Sequence, residues 1–123
     1  MEIKVTVSIG ELIDKISILE IKKNKIKDKS KLTEVSKELS YLKNICETKL
    51  KNYDYYVKQL KRVNRKLWDI ENLIRKKEDK KEFDKEFIEL ARKVYKTNDI
   101  RFILKSKINS KFNSELKEQK SYS

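Results

Sequence analysis

From Leu32 to Lys77 the chain carries apolar residues in a seven-residue repeat. One set of positions reads Leu32, Leu39, Cys46, Tyr53, Leu60, Leu67 and Ile74. The other reads Val35, Leu42, Lys49, Tyr56, Val63, Ile70 and Lys77. A recurrence of 3.5 residues keeps one helix face turned toward a partner, so this is the seam of a coiled coil or helical hairpin. The 123 residues include no proline and one glycine, so little in the chain interrupts a helix. The expected fold is all-α: a helical hairpin or bundle of about five helices with a long heptad-like seam, in one domain spanning 1–123. Lys49 breaks the seam, and Asn52 and Asp54 are candidate caps. Two helices, about 31–49 and 54–78, folding back on each other, are therefore expected rather than one of roughly fifty residues.

The flanks complete the plan. Glu2 to Val7 alternates, with Ile3, Val5 and Val7 on one side and Glu2, Lys4 and Thr6 on the other. Period two predicts a short strand, or an extended arm lying on the helices, over residues 1–7. An isolated strand leaves its backbone groups unpaired, which a second copy of the chain could satisfy. Ser8 and Glu11 have capping-box spacing and predict a helix starting at Ile9, with Ser30 capping the next one. Charged residues 76–81 read as a turn. Phe83, Phe87, Leu90, Ala91 and Val94 mark a fourth helix. Thr97-Asn98-Asp99 reads as a stop and restart, followed by a fifth helix through Ile100, Ile103, Leu104 and Ile108. Residues 113–123 read as a polar tail.

Composition excludes whole classes of chemistry. With no histidine, imidazole acid–base catalysis, catalytic triads and the usual zinc and di-iron sites are out of reach. The single cysteine, Cys46, forms no internal disulfide or thiolate cluster, and its apolar position reads as a small hydrophobe. One glycine cannot build a phosphate loop. No apolar run is long enough to span a membrane and no signal-peptide pattern opens the chain, so a cytoplasmic protein is expected, without membrane insertion and without cofactor or metal. Leu, Ile, Val and Phe make up 36 of the 123 residues, enough to fold.

The net charge of +12 suggests a polyanionic partner. However, 27 of the 32 basic residues are lysine, and Lys, Ile and Asn dominate, which is what an AT-rich genome writes on any solvated face. Three constellations stand out. Trp68, Glu71 and Arg75 share a helix face, an aromatic platform beside a carboxylate and a guanidinium, or simply an i,i+4 ion pair next to a half-buried tryptophan. Asn98, Asp99, Arg101, Lys105 and Asn109 form a polar stripe on the last helix, with Asp99 as its cap and free amides at its start as a weak anion site. The plain alternative is the solvent face of an amphipathic helix. Lys51, Lys58, Lys61, Arg62, Arg65 and Lys66 make a basic stripe near Tyr55 that could follow a phosphate backbone. Tyr53 and Tyr56 fall on the seam and read as core.

The stretch from Glu11 to Ile16 distantly resembles the opening helix of small all-helical chorismate mutases. Gly10 stands where those enzymes carry a substrate-clamping arginine, which argues against that activity. A broader likeness rests on Ser8-Ile9-Gly10-Glu11-Leu12-Ile13-Asp14-Lys15-Ile16-Ser17-Ile18-Leu19-Glu20, Leu67-Trp68-Asp69-Ile70-Glu71, Phe87-Ile88-Glu89-Leu90-Ala91-Arg92, Asn98-Asp99-Ile100-Arg101 and the closing Glu118-Gln119-Lys120-Ser121-Tyr122. These blocks resemble a family of short proteins from bacteria and marine phages that is known only as a domain of unknown function. Some members lie near glycosyltransferase genes. The resemblance implies a helical domain and supplies no catalytic residue. The expected function is a non-enzymatic interaction or assembly module, self-associating as a homo-oligomer (dimer) or pairing with a partner helix, with Trp68 to Arg75 and the start of the last helix as its recognition surface. The alternatives are a nucleic-acid or other polyanion binder, and an accessory small-ligand-binding protein in carbohydrate metabolism. The last requires several of these polar residues to converge on one cavity.

Overall fold

The computed structural model describes residues 1–120, so Ser121 and Tyr122 of the closing motif lie outside the described residues. Four helices follow one another: α1 (Ile9–Lys25), α2 (Lys29–Lys49), α3 (Tyr53–Asp79) and α4 (Lys85–Lys111). Three of them start on a side-chain cap. Ser8 Oγ accepts from the Glu11 amide, Asp28 from the Ser30 and Lys31 amides, and Asp84 from the Phe87 amide. Asp28, not Ser30, therefore caps α2. The Ser30 hydroxyl instead donates to Asp28 Oδ1 at 2.8 Å. At the head of α3, Asn52 sits at φ 59° with no side-chain cap bond. Asparagine tolerates this left-handed conformation better than most residues, which lets the chain turn sharply out of α2.

The break at residues 50–52 falls where expected, but the helices pair differently. α1 is the hub, packed against α2, α3 and α4, and the other major packing is α3 against α4. The expected hairpin of residues 31–49 and 54–78 is thus replaced by an α3–α4 hairpin, with α2 lying on α1. One core joins Ile13, Ile16 and Leu19 of α1, Leu39 and Cys46 of α2, Tyr53, Val57 and Leu60 of α3, and Ile108 of α4. Each such side chain, fully buried, contributes on the order of 1.5–3 kcal/mol. The seam from Val35 to Leu60 packs in or against this core, apart from exposed Lys49, while Leu67, Ile70 and Ile74 lie half-buried beyond it.

Two further expectations are corrected. Among the described residues there is no strand. Residues 1–7 form no regular element and leave Ile3, Val5 and Val7 exposed, with no neighbouring strand to supply hydrogen-bond partners. The fourth and fifth helices are one, α4, 27 residues long. Asn98 and Asp99 do not stop it. Their side chains engage Arg101 and Lys120 instead of competing for backbone amides. Beyond Asn64 in α3 and before Thr97 in α4 no residue is fully buried. The far half of the hairpin therefore extends past the core as a two-helix arm. Lys77, the second break in the seam, clips its turn by reaching Glu82, Asp84 and Glu86. No helix of the described residues is long and apolar enough to cross a membrane.

Candidate functional site

The site begins at Gly10, where α1 and α4 come closest. A Cβ there would lie 2.6 Å from the Lys105 carbonyl oxygen and 3.0 Å from Asn109 Oδ1, so a side chain would force the helices apart. The approach lets Asn109 Oδ1 accept from the Gly10 amide at 2.6 Å. The Ile9 amide donates to Ser114 Oγ at 3.0 Å. Two of the amides left free at the start of α1 are thus satisfied from the other end of the chain.

One and two turns back along α4 from Asn109, the polar stripe meets acidic partners on α1. Lys105 Nζ donates to Glu11 at 2.7 Å and to Glu118 at 2.8 Å. Burial pulls the Lys105 pKa down, but the bonds to Glu11 and Glu118 more than offset this, and the ammonium titrates above its ordinary value. Arg101 then binds Asp14 side-on. Its Nε donates to Oδ1 at 3.0 Å and its Nη2 to Oδ2. Asp14 is 1% exposed. A carboxylate so deep is stable only if paired and hydrogen-bonded. Asn64 of α3 adds a bond to Asp14 Oδ1 at 2.9 Å and one to Ser17 Oγ at 2.8 Å. Every buried side-chain polar atom of the described residues has a partner. The hydrogen bonds with Asp14 lift the already high Arg101 pKa further, so this guanidinium stays charged.

Asp14 was not singled out from the sequence as a functional residue, nor were Ser17, Asn64 or Glu11. A signal for them existed. Gly10, Asp14 and Ser17 interrupt the apolar face of α1 at spacings of four and three. Arg101, Lys105 and Asn109 recur every four residues on α4 and meet Asp14, Glu11 and Gly10 in reverse chain order, as antiparallel helices require, while Ser17 is met by Asn64 of α3.

Arg101 reaches the surface from this network and lines two clefts. The larger, of about 500 Å³, is bounded by Ile18 and Ile21 of α1, by Asn64, Leu67, Trp68, Glu71, Asn72 and Arg75 of α3, and by Arg101. The smaller, of about 290 Å³, is bounded by Asn98, Arg101, Phe102 and Lys105 of α4 and by Glu118, Gln119 and Lys120. The fold therefore brings Trp68, Glu71, Arg75 and Arg101 together. It directs Lys105 and Asn109 inward as helix-packing groups, with 6% and 2% exposure, rather than out on a solvent stripe. Asp99 pairs with Lys120 in mid-helix. It caps nothing, and the expected anion site at a helix start there does not exist. Glu71 and Arg75, though four residues apart, form no ion pair. A family model spans residues 3–123, covering both clefts and the network beneath them.

The chain belongs to DUF6165, a family of unknown function.

No curated protein and no solved structure matches it significantly. The DUF6165 assignment agrees with the expectation of a domain of unknown function, and it carries no activity to this chain. The basic stripe divides. Lys51 lies in the turn before α3, and Lys61 is held by Glu20 at 3.1 Å. Lys58, Arg62, Arg65 and Lys66 are exposed and form no ion pair among the described residues. Tyr55 is exposed beside them, while Tyr53 is buried and Tyr56 packs on the core. Cys46 is fully buried, and burial pushes its thiol up to about 11, the behaviour of a small hydrophobe. No group of three or more acidic or sulfur ligands among the described residues could hold a metal ion.

Proposed function

We propose that this chain is a binding module whose recognition surface is the larger cleft, and that its work there is binding rather than covalent chemistry. One observation carries the reading: polar side chains far apart in sequence converge on one cavity. Trp68, Glu71, Asn72 and Arg75 from α3 meet Arg101 from α4 over a buried network that holds Arg101 in place. A few placed polar groups beside apolar walls are the usual make-up of a small-ligand site. The third expectation from the sequence, a small-ligand-binding accessory protein, thus gains most from the geometry. A role in carbohydrate metabolism would be decided by the ligand's identity.

For self-association, the part of the seam from Val35 to Leu60 packs within the chain. What remains available to a second copy is the arm and the outer face of α4, where Ile88, Tyr95 and Ile103 are exposed. Polyanion binding keeps one supporting observation, the four unpaired cations from Lys58 to Lys66.

A thermal-shift screen on the wild type and on Arg75→Glu tests the cleft. Arg75 is exposed and unpaired, so the substitution should leave the fold intact. A compound held at 100 times its Kd stabilises the native state by about 2.7 kcal/mol. That would raise Tm by roughly 5–15 °C in a domain of this size, and Arg75→Glu should abolish or strongly reduce the shift. Equal shifts in both proteins from every active compound would contradict the reading.

A further inference from the structure

We infer that the larger cleft takes a small ligand bearing a phosphate or carboxylate group, bound by Arg101 and Arg75, with a hydrogen-bond donor beside that group to meet Glu71. The inference rests on the cleft being the recognition site and adds the class of its ligand.

It follows from counting the Arg101 hydrogens. A guanidinium has five N–H groups in a fixed fork. Nε and one Nη2 hydrogen go to Asp14, and one Nη1 hydrogen goes to Asn98 Oδ1 at 3.4 Å. One N–H on Nη1 and one on Nη2 remain, and they have no partner among the described residues. Two such donors match the two oxygens of a carboxylate or phosphate. Asp14 also fixes the plane and direction of the guanidinium, so little side-chain freedom is left to lose on binding.

Asp14 cancels part of the Arg101 charge. Its oxygens occupy one edge of the fork, however, and Arg75 brings a positive charge with no counter-ion among the described residues. A guest without acceptor oxygens would cover the Arg101 donors without satisfying them, at a cost of about 1–3 kcal/mol for each group stranded, and a neutral acceptor would leave the arginine charge unmatched. An oxyanion removes that penalty. Glu71, also unpaired, disfavours a second anion and accepts from a hydroxyl, amide or ammonium group. Trp68 and Ile18 supply the apolar wall. A net charge of +12 favours approach of an anion from solution.

The test reads the indole N–H of Trp68, the single tryptophan of the chain, and the Nε–H of Arg101 in proton–nitrogen spectra of the full chain. Sodium phosphate, sodium acetate and uncharged benzamide are titrated separately at an ionic strength held constant with sodium chloride. Phosphate or acetate should move both signals saturably, and Arg75→Ala should weaken that binding about tenfold or more. Which of the two anions binds distinguishes phosphate from carboxylate. Arg101→Lys, which loses the fork, should weaken it as well. If that variant fails to fold, Arg75→Ala alone decides. If benzamide shifts Trp68 while neither anion does, the cleft remains the recognition site and the anion inference is overturned. If none of the three moves either signal, both fall.

Discussion

Asp14 is the residue on which the site depends. Removing one member of a buried ion pair strands the other, so Asp14→Ala should lower stability by about 3 kcal/mol in urea unfolding. A loss under 1 kcal/mol would show that the pair is not buried as described. Gly10 gives a second case. Alanine is the better helix former by about 1 kcal/mol, yet its Cβ would press on the Lys105 carbonyl, which is backbone and cannot step aside. Gly10→Ala should therefore destabilise, by about 1–3 kcal/mol of overpacking. Neither residue could be ranked from the sequence. Asp14 sits among Ile13, Ile16 and Leu19, and its meaning depends on Arg101, 87 positions away.

At the scale of elements, the caps of α1 and the break between α2 and α3 were legible because their determinants are local. Ser8 needs only the amide of Glu11, and Leu50-Lys51-Asn52 interrupts the seam where Lys49 already weakens it. The continuity of α4 was not legible. Asn98 and Asp99 have the intrinsic chemistry of a cap, and only tertiary partners draw their side chains away from the backbone. The two situations predict opposite outcomes for similar substitutions. Asp84→Ala removes a true cap and should cost about 1 kcal/mol. Asp99→Ala, in mid-helix with a surface ion pair, should change stability by less than about 0.5 kcal/mol. Equal losses from both would restore the helix boundary at Asp99. The recognition patch was half legible for the same reason. Trp68, Glu71 and Arg75 share a face by spacing alone, whereas the approach of Arg101 to that face is set by how α4 lies on α1.

For the whole molecule, much of the seam that suggested an outside partner, from Val35 to Leu60, packs within one chain. The urea midpoint should therefore not vary with protein concentration between about 1 and 100 µM, and a rise with concentration would show that folding requires a second copy. Stability should also fall at high pH. Burial pushes the Cys46 thiol from about 9 up to about 11 and the Tyr53 phenol from about 10 up to about 12. In both, the native state favours the protonated form. Their contribution is whole below the unfolded values and is lost as pH rises from about 9 to 12. Lys105 acts in the same direction, since its raised pKa favours the charged form. Unfolding curves from pH 7 to 11 that keep one midpoint would contradict this.

The central claim is that α4 reads α1 through its polar stripe and that Asp14 thereby holds Arg101 at the cleft. A double-mutant cycle with Asp14→Asn and Arg101→Gln measures it most directly. The account predicts a coupling of about 1.5–3 kcal/mol between the two sites in urea unfolding. Additive losses, within about 0.5 kcal/mol, would mean that the two residues do not touch, and the cleft built on their contact would be gone.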